Sequence, residues 1–173
     1  MYCLTLPHSS LASGPLNMSA GAILFAIGLA IRIWAQQYLG YRIPKKYRKA
    51  QRKKLATNGP YKLCRNPVYV ANALIITSLA ILAGAPWFSS ITFTWSMLVY
   101  HVVVSKYEEP HLAEKYGTEY LEYSENVSRW LPSTENIMSA ITDPSQFPFY
   151  LALKSEIYNI AWTFPFVLRH FLY

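Results

Sequence analysis

Two segments far apart in the chain bring charged side chains to places where an apolar run meets water. One is Gly59-Pro60-Tyr61-Lys62-Leu63-Cys64-Arg65-Asn66-Pro67-Val68-Tyr69, which leads into a hydrophobic run. The other is Glu108-Glu109-Pro110-His111, which leaves a later run and is followed by Tyr116-Gly117 and Arg129-Trp130-Leu131-Pro132. Ionisable residues at a membrane edge are functional candidates by default. Asn66-Pro67 reads as an N-cap followed by proline at the first helical position. The free amides and positive dipole end of that helix, beside Arg65, make an anion site. The plainer alternative is an ordinary capped helix with Arg65 reaching out to a lipid phosphate. Tyr69, Asn72 and Ile76 share one face of the same helix.

The elements that must position these groups are membrane helices. The chain has 173 residues, 53% hydrophobic and 14% charged, against about 25% charged in an ordinary soluble domain. Met18–Ala35, Val68–Ala85 and Trp87–Val104 approach the ~20 apolar residues of a membrane span. Tyr158–Tyr173, with Pro165 and Arg169 inside it, is a candidate fourth. Arg32 and His101 within these runs also suit buried helices of a soluble protein. The number and length of the runs favour the membrane.

Charge is divided along the chain. Arg42, Lys45, Lys46, Arg48, Lys49, Arg52, Lys53, Lys54, Lys62 and Arg65 lie in the first connection with no acid among them, while all 9 acids fall between Glu108 and Glu156. The positive-inside rule puts the basic connection in the cytoplasm. The first span then runs inward, Gly84-Ala85-Pro86 turns outside, and the third span returns the acidic 105–157 region to face the basic one. The Lys45–Arg52 run also suits anionic lipid headgroups. A short juxtamembrane block is a poor nucleic-acid surface, and no nucleic-acid partner is expected. Met1–Asn17 lacks a basic n-region, so no secretory signal is expected. Cys3 and Cys64 are too few for a disulfide framework or a zinc site, and Cys64 is expected to be reduced.

On the third apolar helix His101, Ser105 and Glu108 fall on one face. Without a second His or Cys nearby, His101 suits a satisfied polar group between helices better than a metal ligand. From Pro110 onward Leu112, Tyr116, Tyr120, Tyr123 and Val127 recur every three or four residues, with Glu114, Glu122 and Glu125 largely elsewhere. That is an amphipathic helix, read as a lid on the membrane surface anchored by Trp130. The expected fold is all-α: one polytopic helical membrane domain, residues 1–173, with three to four transmembrane helices, a cytoplasmic lid helix, and 158–173 as the uncertain span.

LATNGPYKLCRNPVY, followed one hairpin later by EEPHLAEKYGTEYLEYSENVSRWLP, resembles the isoprenylcysteine carboxyl methyltransferase family of integral-membrane methyltransferases and, more distantly, phospholipid N-methyltransferases. The resemblance runs from about residue 30 to 132 and includes IRIWAQQYLG. It implies S-adenosylmethionine in a cytoplasm-facing pocket, in the endoplasmic reticulum if the source is eukaryotic. Carried across by position, it implies cofactor contacts at Lys53, Lys54, Leu55, Ala56, Tyr61, Asn66, Pro67, Val68, Tyr69 and Glu108. Asn66 and Lys53 stand where many members have His. Val104 stands where eukaryotic members meet substrate through Arg, and Ser128 replaces a common Pro. These departures leave the prenylcysteine substrate open.

The donor's chemistry fits these residues. Arg65 and the helix start suit a carboxylate, Glu108 a cationic group, and Tyr61 or Tyr69 an adenine or a sulfonium. Methyl transfer chiefly needs alignment. A thiol or protonated amine acceptor would also need a base, for which Glu109 is nearest; Arg65 and Glu109 are therefore the expected catalytic pair. The acceptor is expected to be a lipophilic or prenylated molecule arriving from the lipid. A membrane sterol or steroid reductase holding NADPH at Arg65 is the alternative enzyme reading, and a non-catalytic protein that keeps the fold is a third.

Overall fold

The computed structural model describes residues 15–40 and 54–161. Among them every regular element is a helix and no strand occurs. Helix α1, Pro15–Leu39, grows from the first apolar run. Its Gly21, Gly28 and Ala35 recur every seven residues and form a stripe of small side chains. A Cβ on Gly28 would lie 2.8 Å from Ile75 and 3.1 Å from the Ala71 carbonyl, and one on Gly21 would lie 2.9 Å from Leu82. Small residues of this kind let membrane helices approach closely, and α1 packs along α2, Pro67–Leu82.

Helix α2 has 16 residues, about 24 Å at ~1.5 Å per residue, which is short of the ~30 Å hydrocarbon core. It stops early because Gly84 takes φ +82° and the Ala85 amide reaches back to the Ala80 carbonyl at 3.0 Å. A short 3₁₀ turn, Pro86–Phe88, leads into α3, Ser89–Val103. The helical path continues through Val104–Glu108 into α4, Glu109–Tyr116. Two helical segments are thus long and apolar enough to cross a membrane, Leu16–Leu39 and Pro86–Tyr116. That is fewer than the three to four expected, because the second run makes the shorter α2 and most of 158–173 lies outside the described residues. On α3, Ile91, Trp95, Leu98 and Val102 stand 55%, 68%, 56% and 47% exposed along one stripe. An apolar face of that extent calls for lipid or a partner.

Val104–Glu108 is a turn of π-helix: the Glu109 amide donates to the Val104 carbonyl, five residues back. An extra residue in a helical turn sets everything beyond it about 100° back in rotation. His101 and Glu108 therefore do not share the expected face. The Trp130 indole donates to His101 Nδ1 at 3.4 Å, whereas Glu108 meets Tyr69.

The expected lid is two helices, α4 and α5 (Thr118–Asn126), broken at Gly117, whose φ +56° and ψ −128° lie outside the helical region. After α5 the chain runs back beside the first motif. The Arg65 amide donates to Ser128 at 2.9 Å, and the Ser133 amide to Leu63 at 3.0 Å. Two further helices follow, α6 (Ile137–Thr142) and α7 (Phe149–Ala161), and α7 packs on α1.

The buried core is small. Ala35, Tyr38 and Tyr61 form its centre, with Trp34, Ala56 and Val68 against them, and Phe147 with Leu151 makes a second cluster. Gly59, at φ +61°, lies so close to the Tyr38 ring that a Cβ there would sit 2.3 Å from it. That contact seats the 3₁₀ turn Gly59–Lys62 on the end of α1.

Candidate functional site

Between α1, the 3₁₀ turn, the start of α2, α4 and α5 lies a cavity of about 700 Å³. Small-molecule sites fall in the range ~300–1,000 Å³. Lys54, Leu55, Ala56, Tyr61, Arg65, Asn66, Pro67, Val68, Tyr69 and Glu108 all line it. Lys53 lies outside the described residues. Glu109 is not part of the lining; it stands behind Arg65.

The two motifs meet through specific bonds. The Tyr69 hydroxyl donates to Glu108 Oε2 at 2.6 Å, a length typical of a charge-assisted bond. Glu109 is gripped by Arg129 as a fork, from Nε at 2.9 Å and Nη2 at 2.7 Å, and its Oε1 also lies 3.4 Å from Arg65 Nη2. This bidentate bond holds Arg129 strongly in its charged form. Asn66 precedes proline at the first helical position as expected, but its side chain does not cap α2; its Nδ2 donates to the Arg129 carbonyl at 3.3 Å. The segment after α5 thus holds both Asn66 and Glu109.

Aromatic side chains close the cavity on the lid side. Tyr123 donates to the Tyr61 carbonyl at 2.8 Å, and burial raises the pKa of Tyr61, Tyr120 and Tyr123, keeping their hydroxyls protonated. Burial likewise pushes the Cys64 thiol up to about 11, so it stays neutral near pH 7 and is no nucleophile. At the rim, Asp143 accepts from the Gly59 amide at 2.9 Å and from Lys62 at 2.8 Å. Those donors, the amide first, lower its carboxyl pKa.

Several lining residues were not among the expected site residues. Arg32 and Asn72 form the membrane-side wall: Arg32 Nη1 donates to Asn72 Oδ1, and its Nε and Nη2 meet Glu156 at 2.7 and 3.2 Å. A lone arginine in an apolar run needs a partner, which was the available signal. Its partner, 124 positions away, left none. Gln36, Gln146 and Phe147 also line the cavity. Three buried polar atoms facing this region have no partner: Gln36 Oε1, the Tyr61 hydroxyl and Arg65 Nε. Among the described residues no three His, Cys, Asp or Glu side chains gather as a metal set.

Two apolar helices of spanning length beside a part-charged, part-aromatic cavity suggest a membrane protein. The profile of the phospholipid methyltransferase family matches residues 16–119, and the chain belongs to that family. Among proteins of known name, it is 27% identical over 118 residues to the cobalt-zinc-cadmium resistance protein CzcN of Cupriavidus metallidurans, covering 68% of this chain and 50% of that protein. It is 24% identical over 115 residues to the nickel-cobalt-cadmium resistance protein NccN of Alcaligenes xylosoxydans xylosoxydans, covering 66% and 49%. The chain thus spans about half the length of these relatives. No solved structure matches it.

Proposed function

We propose that the protein transfers a methyl group from S-adenosylmethionine to a lipophilic acceptor at the membrane. One observation carries the reading: in a single cavity, the unpartnered Nε of Arg65 lies beside the start of α2 while Glu108 is held by Tyr69. That is a cationic and an anionic contact for a zwitterion, with uncharged aromatic surface alongside. Membership in a methyltransferase family supports the same reading.

When bound, S-adenosylmethionine would supply an electrophilic methyl group on a sulfonium. The chain's own residues have the following roles in this proposal. Arg65, beside the positive end of α2, grips a carboxylate. Glu108, oriented by Tyr69, faces a cation, and Lys54, Leu55, Ala56, Asn66, Pro67 and Val68 shape the wall. Glu109 is a positioning residue that holds Arg65 and Arg129, since both its oxygens are engaged. The multi-pass arrangement, the cytoplasmic orientation and the lipid-side arrival of the acceptor are part of the same proposal.

Calorimetry on the full chain in detergent tests it. S-adenosylmethionine should bind, and sinefungin, with an amine in place of the sulfonium, should compete. Binding of NADPH with no binding of either would transfer the site to the reductase reading. A lipid extract incubated with radiolabelled methyl donor identifies the acceptor. For orientation, externally added maleimide should label Ser90→Cys and spare Lys49→Cys; the reverse pattern inverts the topology.

A further inference from the structure

Arg32 apart, the cavity's charged contacts come from other elements than the uncharged wall at the end of α1. Arg65, Glu108 and Lys115 belong to the α2 start, the π turn and α4. The uncharged wall is built on the end of α1: Tyr38 and Tyr61 pack together, and the Phe147 amide bonds the Gln37 carbonyl at 2.9 Å. Gln36 stands in that wall, 2% exposed and among the largest fully buried side chains. One turn back, Arg32 is committed to Glu156 and Asn72. Gln36 Oε1 has no donor, and the hydroxyl of Tyr61, 6% exposed, has no partner either.

A buried carbonyl without a donor opposes folding unless something bound there supplies one. The missing group is an N–H or O–H donor, and the rings of Tyr38, Tyr61 and Phe147 line the same cavity as Gln36. Adenine offers a flat face for such a wall, with an amino donor next to a ring-nitrogen acceptor on its edge. A glutamine amide complements that edge with two parallel bonds, and its last torsion is soft enough to turn in place.

We infer that Gln36 reads the adenine edge of the methyl donor, so nucleobase recognition comes from the first membrane helix while the charged motifs hold the amino-acid part. The inference rests on the methyl-donor reading above. Tyr61 supplies a second polar contact to the same nucleoside.

The experiment compares S-adenosylhomocysteine with S-inosylhomocysteine, in which a carbonyl oxygen replaces the amino group, by calorimetry on the full chain in detergent. Wild type should prefer the adenosyl ligand at least about tenfold, and Gln36→Leu and Gln36→Met should each bring the ratio within about twofold. Preserved discrimination in the variants overturns the inference. Should the variants bind neither ligand, wild type alone decides with the N6,N6-dimethyl analogue, which has no amino donor: weakened binding supports the inference and undiminished binding overturns it. Equal affinity of wild type for both bases removes only the role of Gln36. Absence of binding by any of these nucleosides removes the methyl-donor reading and this inference with it.

Discussion

Two ion pairs in this molecule share their chemistry and differ in their surroundings. Arg32 and Glu156 meet at 2.7 Å with side chains 8% and 0% exposed, tying α1 to α7 beneath the cavity. Lys62 and Asp143 meet at 2.8 Å with side chains 31% and 17% exposed, tying the 3₁₀ turn to the segment before α7 at the rim. The deep pair excludes water, so removing one partner strands a charge in a poor solvent. The rim pair is screened by water and salt, and its loss is cheap. Both acids come from beyond residue 119, outside the segment that matches the family. The cations and most of the cavity belong to the family segment; the carboxylates that brace it come from the rest of the chain.

The deep pair should give the largest effect. Glu156→Leu leaves Arg32 without its carboxylate and should cost about 3–5 kcal/mol of stability, read from unfolding in mixed micelles. Adding Arg32→Met should return most of that loss, and failure to recover would mean that the charges do more than neutralise each other. Next comes Glu108→Gln, which keeps shape but removes charge and should weaken S-adenosylmethionine binding by about 1.5–3 kcal/mol. Unchanged affinity would move the donor away from Glu108.

Glu109→Gln should act more weakly and in a different way. Loosening Arg65 should raise the donor KM by several-fold, about 1 kcal/mol, with the pH profile of kcat unmoved. A shifted profile with unchanged KM would instead make Glu109 the base that a thiol or amine acceptor needs.

The rim gives the smallest effect, about 1 kcal/mol or less for Asp143→Asn near pH 7. The folded pKa of Asp143 is lowered below its ordinary value of 3.8. Its contribution is therefore complete above the unfolded pKa and fades as pH falls through the lower folded value. The deficit of Asp143→Asn should shrink in that acid window and in high salt. A deficit indifferent to both would place the weight on the neutral bond to Gly59.

Legibility from sequence followed the same division between deep and local. The motif residues Tyr61, Arg65, Asn66 and Tyr69 were readable because proline, capping and charge signals are local, and Glu108 because it ends an apolar run. The membrane character of α1 and the Pro86–Tyr116 segment followed from run length. The cavity's membrane-side floor was not readable, since the contact between Arg32 and Glu156 exists only once α7 packs on α1. The single lid helix was also misjudged: a periodic tyrosine pattern continues across Gly117 although the backbone does not. Gln36, next to Gln37 at the end of an apolar run, looks from sequence like an ordinary helix end, yet it is buried in a cavity that Tyr38, Tyr61 and Phe147 also line.

The π turn takes up one residue between α3 and the site, so residue number can change there without turning what lies beyond. Deleting Lys106 would leave every motif side chain in the chain and restore an ordinary α-helical count between α3 and α4. Glu109 would then stand four residues from Val104 and give the same carbonyl its amide in α geometry, so the helix beyond should keep its rotation, with Glu108 still on Tyr69 and Glu109 still on Arg129. Two proteins identical at every motif position but differing by one residue in this turn can therefore present the same site, as a tuck let out of a sleeve leaves the cuff facing the same way.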